Sequence, residues 1–530
     1  MLISSLFSYI VSTSVSTRQD KTILYSRTSI IIVLYSLYIA YSSLYLGYFD
    51  QGIGLFNGLF HLTIIGQNIN VFLFIITIAI LALTSFYPKK LLINKIVDFK
   101  LLSALISKKH EQFNIVEYTL IIIFIILGAI FLISTSDLVS VFLSIELQSY
   151  GLYLLATIYR NSEKSASAGL MYFLLGGLSS CFILLGIALL YINSGVTNMD
   201  NIFIITNLSS DNLLFSYKSD YINYSLLILS IGFLFKVAAA PFHFWSPDVY
   251  DAIPTVVTTF VAIIPKISIF IFLLEIINYT SDFIFINQYN WTYSLVISSF
   301  LSLIIGTVLG LSQLRIKRLF AYSTISHVGF ILLALAINTT ESIQAYIFYI
   351  MQYSLSNLNG FIILFSIGWF IIYQTPNGDY FSHEKKNSPL QLISQLKGLY
   401  KSNSMLAISL SISIFSFVGI PPLIGFFAKQ MVLSSAIEEG FIFISLIAIL
   451  TSVISASYYL NIIKQIYFDN SNDLDSGIVY KVYSNKLNTT ISSHLSIIIS
   501  VLTIIILIFI LMPNEFLSIT NIMSLSLLNT

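Results

Sequence analysis

Charged residues are scarce in this sequence of 530 residues. Asp, Glu, Lys and Arg together make up 9% of the chain, against roughly 25% in a soluble domain. Hydrophobic residues make up 57%. A soluble protein of this length would divide into several domains, whereas here apolar runs of about 20 residues recur along the chain. The composition therefore excludes a soluble protein and predicts one membrane domain over residues 1–530.

Cysteine and ligand-binding motifs are also nearly absent. The single cysteine, Cys181, cannot form an internal disulfide or a thiolate metal cage, and the six histidines are too scattered for a metal site. There is no P-loop, no dinucleotide fingerprint and no nucleophile elbow. The net charge of +1 does not indicate a nucleic-acid partner. We expect no metal, no cofactor and no redox or other catalytic centre in this chain.

Apolar windows predict about fourteen transmembrane helices in an all-α integral membrane fold. They begin near Leu2, Ser29, Asn68, Ile115, Asp137, Ser167, Ile222, Thr255, Thr292, Leu319, Ser342, Ser404, Phe441 and Ser493. Lys and Arg residues outside these helices lie on every second loop, with Lys218 as the exception. This alternation follows the positive-inside rule and predicts both termini on the side opposite the basic loops. Because the first apolar stretch lacks a basic n-region and a cleavage motif, we expect a membrane helix there and no removed signal peptide.

Four charged residues inside the predicted helices stand out. They are Glu146, Lys236, Lys266 and Lys429, in the fifth, seventh, eighth and twelfth helices. A charge at the bilayer centre costs about 2.5–3.5 kcal/mol on insertion scales, so such residues usually serve a function. A buried lysine with a nearby carboxylate can take up and release a proton when either charge moves. A static ion pair of Glu146 with Lys236, and snorkelling of Lys429 to the interface, are the alternatives.

Prolines interrupt two of these helices at comparable places. Pro241 follows Lys236 in helix 7, while Pro421 and Pro422 precede Lys429 in helix 12. Helices broken at matching positions five helices apart are typical of inverted repeats, although two unrelated kinks would give the same pattern. We therefore predict broken helices 7 and 12 within two inverted five-helix repeats. The predicted division is 1–114 (helices 1–3 and a loop), 115–278 (helices 4–8), 292–468 (helices 9–13) and 493–530 (helix 14 and a tail).

Two of the histidines are candidates for proton transfer. His243 lies just past Pro241, and His327 lies inside the tenth predicted helix. Histidine gains and loses its proton near neutral pH, so a buried one can pass a proton on. A histidine that only packs in the core is the alternative, above all for His243.

Several motifs resemble a known family. The residues AAAPFHFWSPDVYDAIP at 238–254 resemble the antiporter-like subunits of proton-pumping NADH:ubiquinone oxidoreductase (respiratory complex I). Within that family, the motif is most similar to the subunit-2 branch. Further agreement comes from LRIKRLFAYSTISHVGF (314–330), QLKGLYKSN (395–403), GIPPLIGFFAK (419–429) and SASYYLNIIKQIYF (455–468). Each motif alone would be weak evidence. Their joint occurrence in this order is highly specific.

The resemblance implies a function, a location and partners. It implies a proton-translocating subunit of the mitochondrial inner membrane, with basic loops in the matrix and both termini in the intermembrane space. Its partners would be the other membrane subunits, including sister antiporter-like subunits, and membrane lipids. NADH, FMN, iron–sulfur clusters and ubiquinone would be bound by other subunits. A subunit of a multi-subunit cation/proton antiporter is the alternative, because it shares the fold and the buried lysines.

The resemblance also implies residue roles. They are the helix-5 carboxylate Glu146, the helix-7 lysine Lys236 that pairs with it, the central lysine Lys266, the exit-side lysine Lys429, and His327 on a central polar axis. The chain departs from the family at Met171, where many relatives carry a lysine. We therefore expect some group other than a helix-6 lysine to gate the Glu146 contact.

Overall fold

The computed structural model describes residues 1–15, 22–45, 52–85, 117–159, 162–211, 216–280, 290–374, 388, 390–469 and 493–528. These residues are mostly helical. The helices are α1 Leu2–Val15, α2 Thr22–Ser43, α3 Ile64–Ser85, α4 Glu117–Ile133, α5 Leu138–Thr157, α6 Glu163–Ser194, α7 Met199–Asp211, α8 Ser216–Val237, α9 Trp245–Ala252, α10 Thr255–Tyr279, α11 Thr292–Leu311, α12 Ile316–Ile337, α13 Thr340–Gln374, α14 Leu399–Ser402, α15 Ser404–Val418, α16 Ile424–Glu438, α17 Ile442–Tyr467, α18 Ser493–Ile508 and α19 Pro513–Leu528, with a 3-10 helix at Ile393–Leu396.

The predicted all-α membrane fold is confirmed. Within the described ranges, nine helices are long and apolar enough to cross a membrane, and α18 and α19 form one further pair bent by 88°. Shorter apolar helices occur in α1, α4, α8 and α15. Apart from Ile115, which lies outside the described residues, every predicted start falls in one of these helices or at its N-cap. The number of crossings and the inverted-repeat relation stay predictions.

Among the elements that the sequence did not predict are a hairpin and two helices. The first is a hairpin of β1 (Ile53–Leu55) and β2 (Phe60–Leu62). A hydrogen bond from Ser136 Oγ to the Gly58 carbonyl oxygen, 2.6 Å long, fixes its turn. The second is α7, and the third is α19, where we expected a tail. α19 begins at Pro513 with Glu515 in its first turn, and both residue types favour a helix N-terminus.

Helices α10, α12 and α13 form the centre of the bundle. Their most apolar windows are 94%, 83% and 89% buried inside the chain, against 33% for α6 and α17. A helix that is apolar all round belongs in a core, and these three also carry Lys266, His327 and a series of tyrosines. Polar groups on the central helices therefore face other helices.

Two interruptions position the candidate site. The helix α8 ends at Val237, and the chain passes through Ala238, with a φ of 64°, before α9 begins. The helix α15 ends at Val418, and Gly419 takes the left-handed conformation with a φ of 84° that favours glycine after a helix. The residues up to Leu423 are extended or turned before α16 begins. Each break leaves backbone groups free to accept hydrogen bonds in the bundle interior.

The predicted sidedness depends largely on loops outside the described residues. The basic residues Lys89, Lys90, Lys95, Lys100, Lys108, Lys109, Lys385, Lys386, Lys481 and Lys486 all lie in undescribed ranges. Lys218 lies within α8, and its side chain is not among those described. The side on which the termini lie therefore stays a prediction.

Candidate functional site

Glu146 and Lys236 meet between α5 and the last turn of α8. Lys236 Nζ lies 3.8 Å from Glu146 Oε1, and the two side chains are 8% and 13% exposed. Lys236 Nζ also donates to Tyr153 Oη at 3.3 Å. The distance to the carboxylate is within ion-pair range but longer than a hydrogen bond of about 2.7–3.2 Å. A small movement of either side chain therefore closes or opens the contact.

Lys266 lies where α10, α12 and α13 meet. Its side chain is buried, and its Nζ donates to Thr324 Oγ1 at 3.3 Å and to Tyr353 Oη at 3.4 Å. Both acceptors are uncharged hydroxyls, unlike the carboxylate beside Lys236. Both also belong to helices of the second predicted repeat, so Lys266 reaches from the first predicted repeat into the second.

Lys429 is held by the end of a broken helix. Its Nζ donates to the carbonyl oxygens of Phe417 at 2.9 Å and Val418 at 2.8 Å, the last two residues of α15. The last carbonyls of a helix have no partner within it and carry the negative end of its dipole. The break in predicted helix 12 thus supplies the acceptor that a carboxylate supplies to Lys236. Lys429 belongs to α16, and its ammonium group lies inside the bundle against the C-terminal end of α15.

His327 lies between Lys266 and Lys429. The ring is buried on α12, and its Nδ1 shares a hydrogen bond with Tyr349 Oη at 2.8 Å. Among the described residues no partner is found for its Nε2. His327 and Lys429 line the same narrow space between helices, together with Phe417 and Tyr459. The structure therefore brings His327 and Lys429 to one space.

His243 lies in the first break, and its described contacts stay there. Its carbonyl oxygen accepts from Ser246 N at 3.1 Å, and its ring packs against Phe244 with centroids 4.6 Å apart. A role for His243 in proton transfer therefore stays a prediction. Among the described residues no group of three His, Cys, Asp or Glu side chains could hold a metal ion.

The position that departs from the family lies on the outer face of α6. The side chain of Met171 is 39% exposed, whereas its neighbour Tyr172 is buried. Tyr172 stacks on Trp245 and meets the edge of Tyr153, with ring centroids 4.6 Å and 4.9 Å apart. Near this position, the group that contacts Lys236 is the hydroxyl of Tyr153 on α5, whose ring packs against Tyr172.

Two ion pairs join α9 to the start of α12. Asp248 pairs with Arg318, and Asp251 pairs with Arg315. These pairs tie the segment after the first break to the second predicted repeat. Exposed or partly exposed pairs contribute little to stability one by one, so their main effect is to fix the relative position of the two helices.

Lys317 lies beside these pairs but is buried. We expected it on a basic loop with Arg315 and Arg318, whereas the structure places it in the first turn of α12. Its Nζ donates to the Ile253 carbonyl oxygen at 2.6 Å and to Ser388 Oγ at 2.5 Å. Lys317 thus satisfies the backbone where α9 turns into α10, which a count of basic loop residues could not reveal.

Several polar groups of the site were missed in the sequence. Tyr153, Thr324, Tyr349 and Tyr353 contact the candidate residues directly. With 33 tyrosines in the chain, one tyrosine in an apolar run carries no distinct signal. Glu275 was also missed, although this carboxylate lies within α10 and the rule that selected Glu146 applies to it equally.

Comparisons with known proteins confirm the resemblance. Residues 135–455 match the family described as NADH:quinone oxidoreductase/Mrp antiporter, TM. The chain is 43% identical to NADH-ubiquinone oxidoreductase chain 2 of Rhizopus oryzae, over 99% of each. Its fold is similar to a chain of respiratory complex I from Thermus thermophilus (TM-score 0.68, 22% identity, 98% of this chain and 99% of that one). It is also similar to a chain of the Mrp complex from Dietzia sp. (TM-score 0.74, 17% identity, 100% and 96%). The chain therefore belongs to the NADH:quinone oxidoreductase/Mrp antiporter membrane family, and within it to the NADH-ubiquinone oxidoreductase chain 2 proteins.

Proposed function

We infer that this chain is the proton-translocating membrane subunit of an NADH:ubiquinone oxidoreductase. The observation that carries the inference is the series of three buried lysines, each held by a different kind of acceptor, in a member of the chain 2 family. Intramembrane ionisable groups that face a bundle interior are typical of proton and ion pathways. The chain is a multi-pass membrane protein that works as part of a multi-subunit complex with other membrane subunits.

The proposed path runs from Glu146 and Lys236 through Lys266 and His327 to Lys429. When the Glu146 contact is closed, the carboxylate stabilises the ammonium of Lys236. When it opens, Lys236 loses that stabilisation and releases its proton toward the next group. Quinone reduction elsewhere in the complex supplies the energy for this movement. The chain itself contributes positioned proton carriers and no redox step.

The same proposal gives the chain a membrane, cofactors in other subunits and neighbouring subunits. The chain lies in the mitochondrial inner membrane, with its basic loops in the matrix and both termini in the intermembrane space. NADH, FMN, iron–sulfur clusters and ubiquinone are bound by other subunits. The sister antiporter-like subunits are its neighbours in the membrane, together with lipids.

A subunit of a cation/proton antiporter is the second candidate. The likeness to the Mrp complex chain favours it, since the fold is the same. In that function the lysines would couple proton movement to a second cation in the absence of NADH oxidation. The two candidates therefore differ in the complex to which the chain belongs.

A native gel of the solubilised membrane separates these candidates. Complexes are extracted in mild detergent, stained for NADH oxidation and analysed by mass spectrometry for this chain. We expect the chain in the large band that oxidises NADH. A chain that migrates apart from this activity would overturn the assignment, and sodium-coupled transport would then be the activity to measure.

Gly176 provides a separate test of the contact between Tyr153 and Lys236. A Cβ added at Gly176 would lie 1.9 Å from Tyr153 Oη, so Gly176→Ala must displace the hydroxyl that accepts from Lys236. We expect fewer protons translocated per NADH. Gly177→Ala is the matched control, because a Cβ there meets no atom within 4 Å. Equal proton ratios in the two variants would show that the Tyr153 contact is dispensable.

A further inference from the structure

Two tyrosines of α13 connect the central lysine to the histidine. Tyr353 Oη accepts a hydrogen bond from Lys266 Nζ at 3.4 Å, and Tyr349 Oη shares one with His327 Nδ1 at 2.8 Å. Both side chains are at most 2% exposed. Residues four apart lie on one face of a helix, about 6 Å apart along its axis. One face of α13 therefore contacts the two groups between which the path must continue.

The His327 ring is close to both phenols. Its centroid lies 6.0 Å from that of Tyr349 and 6.1 Å from that of Tyr353. His327 also lines the narrow space that Lys429 lines, and its Nε2 has no partner among the described residues. The imidazole thus has one nitrogen hydrogen-bonded to Tyr349 and a second nitrogen without a partner among the described residues. Such a group can receive a proton on one nitrogen and release it from the other.

We propose that Tyr353 and Tyr349 are proton-relay residues that pass the proton from Lys266 to His327. A phenol has one donor hydrogen and an oxygen that accepts, so it can take one proton while it gives up another. The Lys266 ammonium gives a proton to Tyr353 Oη as the Tyr353 hydroxyl proton moves toward Tyr349. Tyr349 Oη takes that proton and releases its own to His327 Nδ1. Lys266 ends neutral, His327 ends protonated, and neither phenol keeps a charge.

The step between the two hydroxyls requires a local rearrangement. The Tyr353 hydroxyl donates to the Ala262 carbonyl oxygen at 3.3 Å and must turn toward Tyr349 to pass its proton. Hydroxyl hydrogens rotate readily, and ordered water can bridge two hydroxyls that do not contact each other directly. A carbonyl oxygen cannot carry the proton further, so the Ala262 contact is the resting arrangement of Tyr353.

Thr324 offers a partial bypass at the first step. Lys266 Nζ donates to Thr324 Oγ1 as well as to Tyr353 Oη. Thr324 is three residues before His327 on α12 and therefore lies on the same helix face. Tyr349 is the residue whose hydroxyl reaches His327 itself. We therefore expect the loss of the Tyr349 hydroxyl to have a larger effect than the loss of the Tyr353 hydroxyl.

Three Tyr→Phe variants of the assembled complex test the relay. Tyr349→Phe and Tyr353→Phe remove the proposed relay hydroxyls. Tyr346→Phe is the matched control, because among the described residues that fully buried tyrosine of the same helix donates only to the Phe270 carbonyl oxygen, at 2.6 Å. The readout is protons translocated per NADH in reconstituted vesicles, with Lys266→Met as the benchmark for loss of the path.

We expect Tyr349→Phe to reproduce most of the drop seen for Lys266→Met, Tyr353→Phe to reproduce less of it, and Tyr346→Phe to show none. The relay rests on the proposed function, and the benchmark separates the two. A normal ratio in Tyr349→Phe and Tyr353→Phe with a low ratio in Lys266→Met would overturn the relay alone. A normal ratio in Lys266→Met would overturn the proposed function itself.

Two further outcomes would also count against the relay. Equal drops in all three tyrosine variants would show that the loss is not specific to the hydroxyls on the path. Failure of Tyr349→Phe and Tyr353→Phe to assemble, with Tyr346→Phe assembled, would assign those hydroxyls a structural role. If only one of the two relay variants assembles, its ratio decides the question.

Discussion

Neutralising both members of the Glu146–Lys236 pair is expected to leave the complex assembled but unable to move protons through this chain. Removing one partner alone leaves a buried charge uncompensated, which costs about 3–5 kcal/mol, so the single variants Lys236→Met and Glu146→Gln should assemble less well. The double variant removes both charges and avoids that cost. It still lacks the groups that take up and release the proton.

The double variant therefore separates a proton relay from a static ion pair. For a relay, we expect proton transfer through this chain to slow by about 100-fold or more, the usual minimum contribution of a positioned acid or base. The chain's share of pumping is then lost, which is measured as fewer protons translocated per NADH in vesicles that hold equal amounts of complex. A static pair predicts normal pumping once assembly is restored. Glu163→Gln, an exposed change of the same chemistry, is the control.

Gly425→Ala is expected to prevent stable assembly. A Cβ at this position would lie 1.8 Å from the Ser416 carbonyl oxygen, which is backbone and cannot rotate away. The first turn of α16 and the last turn of α15 must therefore separate. Overpacking of this kind typically costs about 1–3 kcal/mol, occasionally more. The separation would also pull the α15 carbonyls away from Lys429.

The amount of assembled complex on a native gel measures this effect. Ala has a higher helix propensity than Gly by about 1 kcal/mol, so without the clash the change should stabilise α16. Gly177→Ala, which adds a methyl group in open space, is expected to assemble normally. A normal yield of Gly425→Ala would show that the two helices of the second break are not in the close contact described.

The sequence predicted four charged members of the candidate site because charges in apolar runs are rare. Glu146, Lys236, Lys266 and Lys429 each stand out against some twenty apolar neighbours, and the cost of burial gives a physical reason to select them. The prolines marked the interrupted helices by the same logic, since Pro cannot donate a backbone hydrogen bond. The rarity of a charge or a proline in an apolar run, and the free-energy cost of placing it there, can both be inferred from a single sequence.

The acceptors of those charges could not be predicted in the same way. The carbonyl oxygens of Phe417 and Val418 have no sequence signature, because every residue carries one. Tyr353 and Thr324 become distinctive only when α12 and α13 pack against α10. The burial of Lys317 likewise depends on residue 388, which lies 71 positions further along the chain. Long-range packing decided these contacts, and local patterns do not contain it.

The proton ratio of two buried-lysine variants tests the central claim most directly. Lys266→Met removes the lysine at the meeting point of α10, α12 and α13. Lys317→Met removes an equally buried lysine whose hydrogen bonds within the described residues go to Ile253 and Ser388. Protons translocated per NADH are measured in vesicles with equal amounts of assembled complex. We predict a lower ratio for Lys266→Met and an unchanged ratio for Lys317→Met. An unchanged ratio for Lys266→Met would contradict a proton path through the buried lysines.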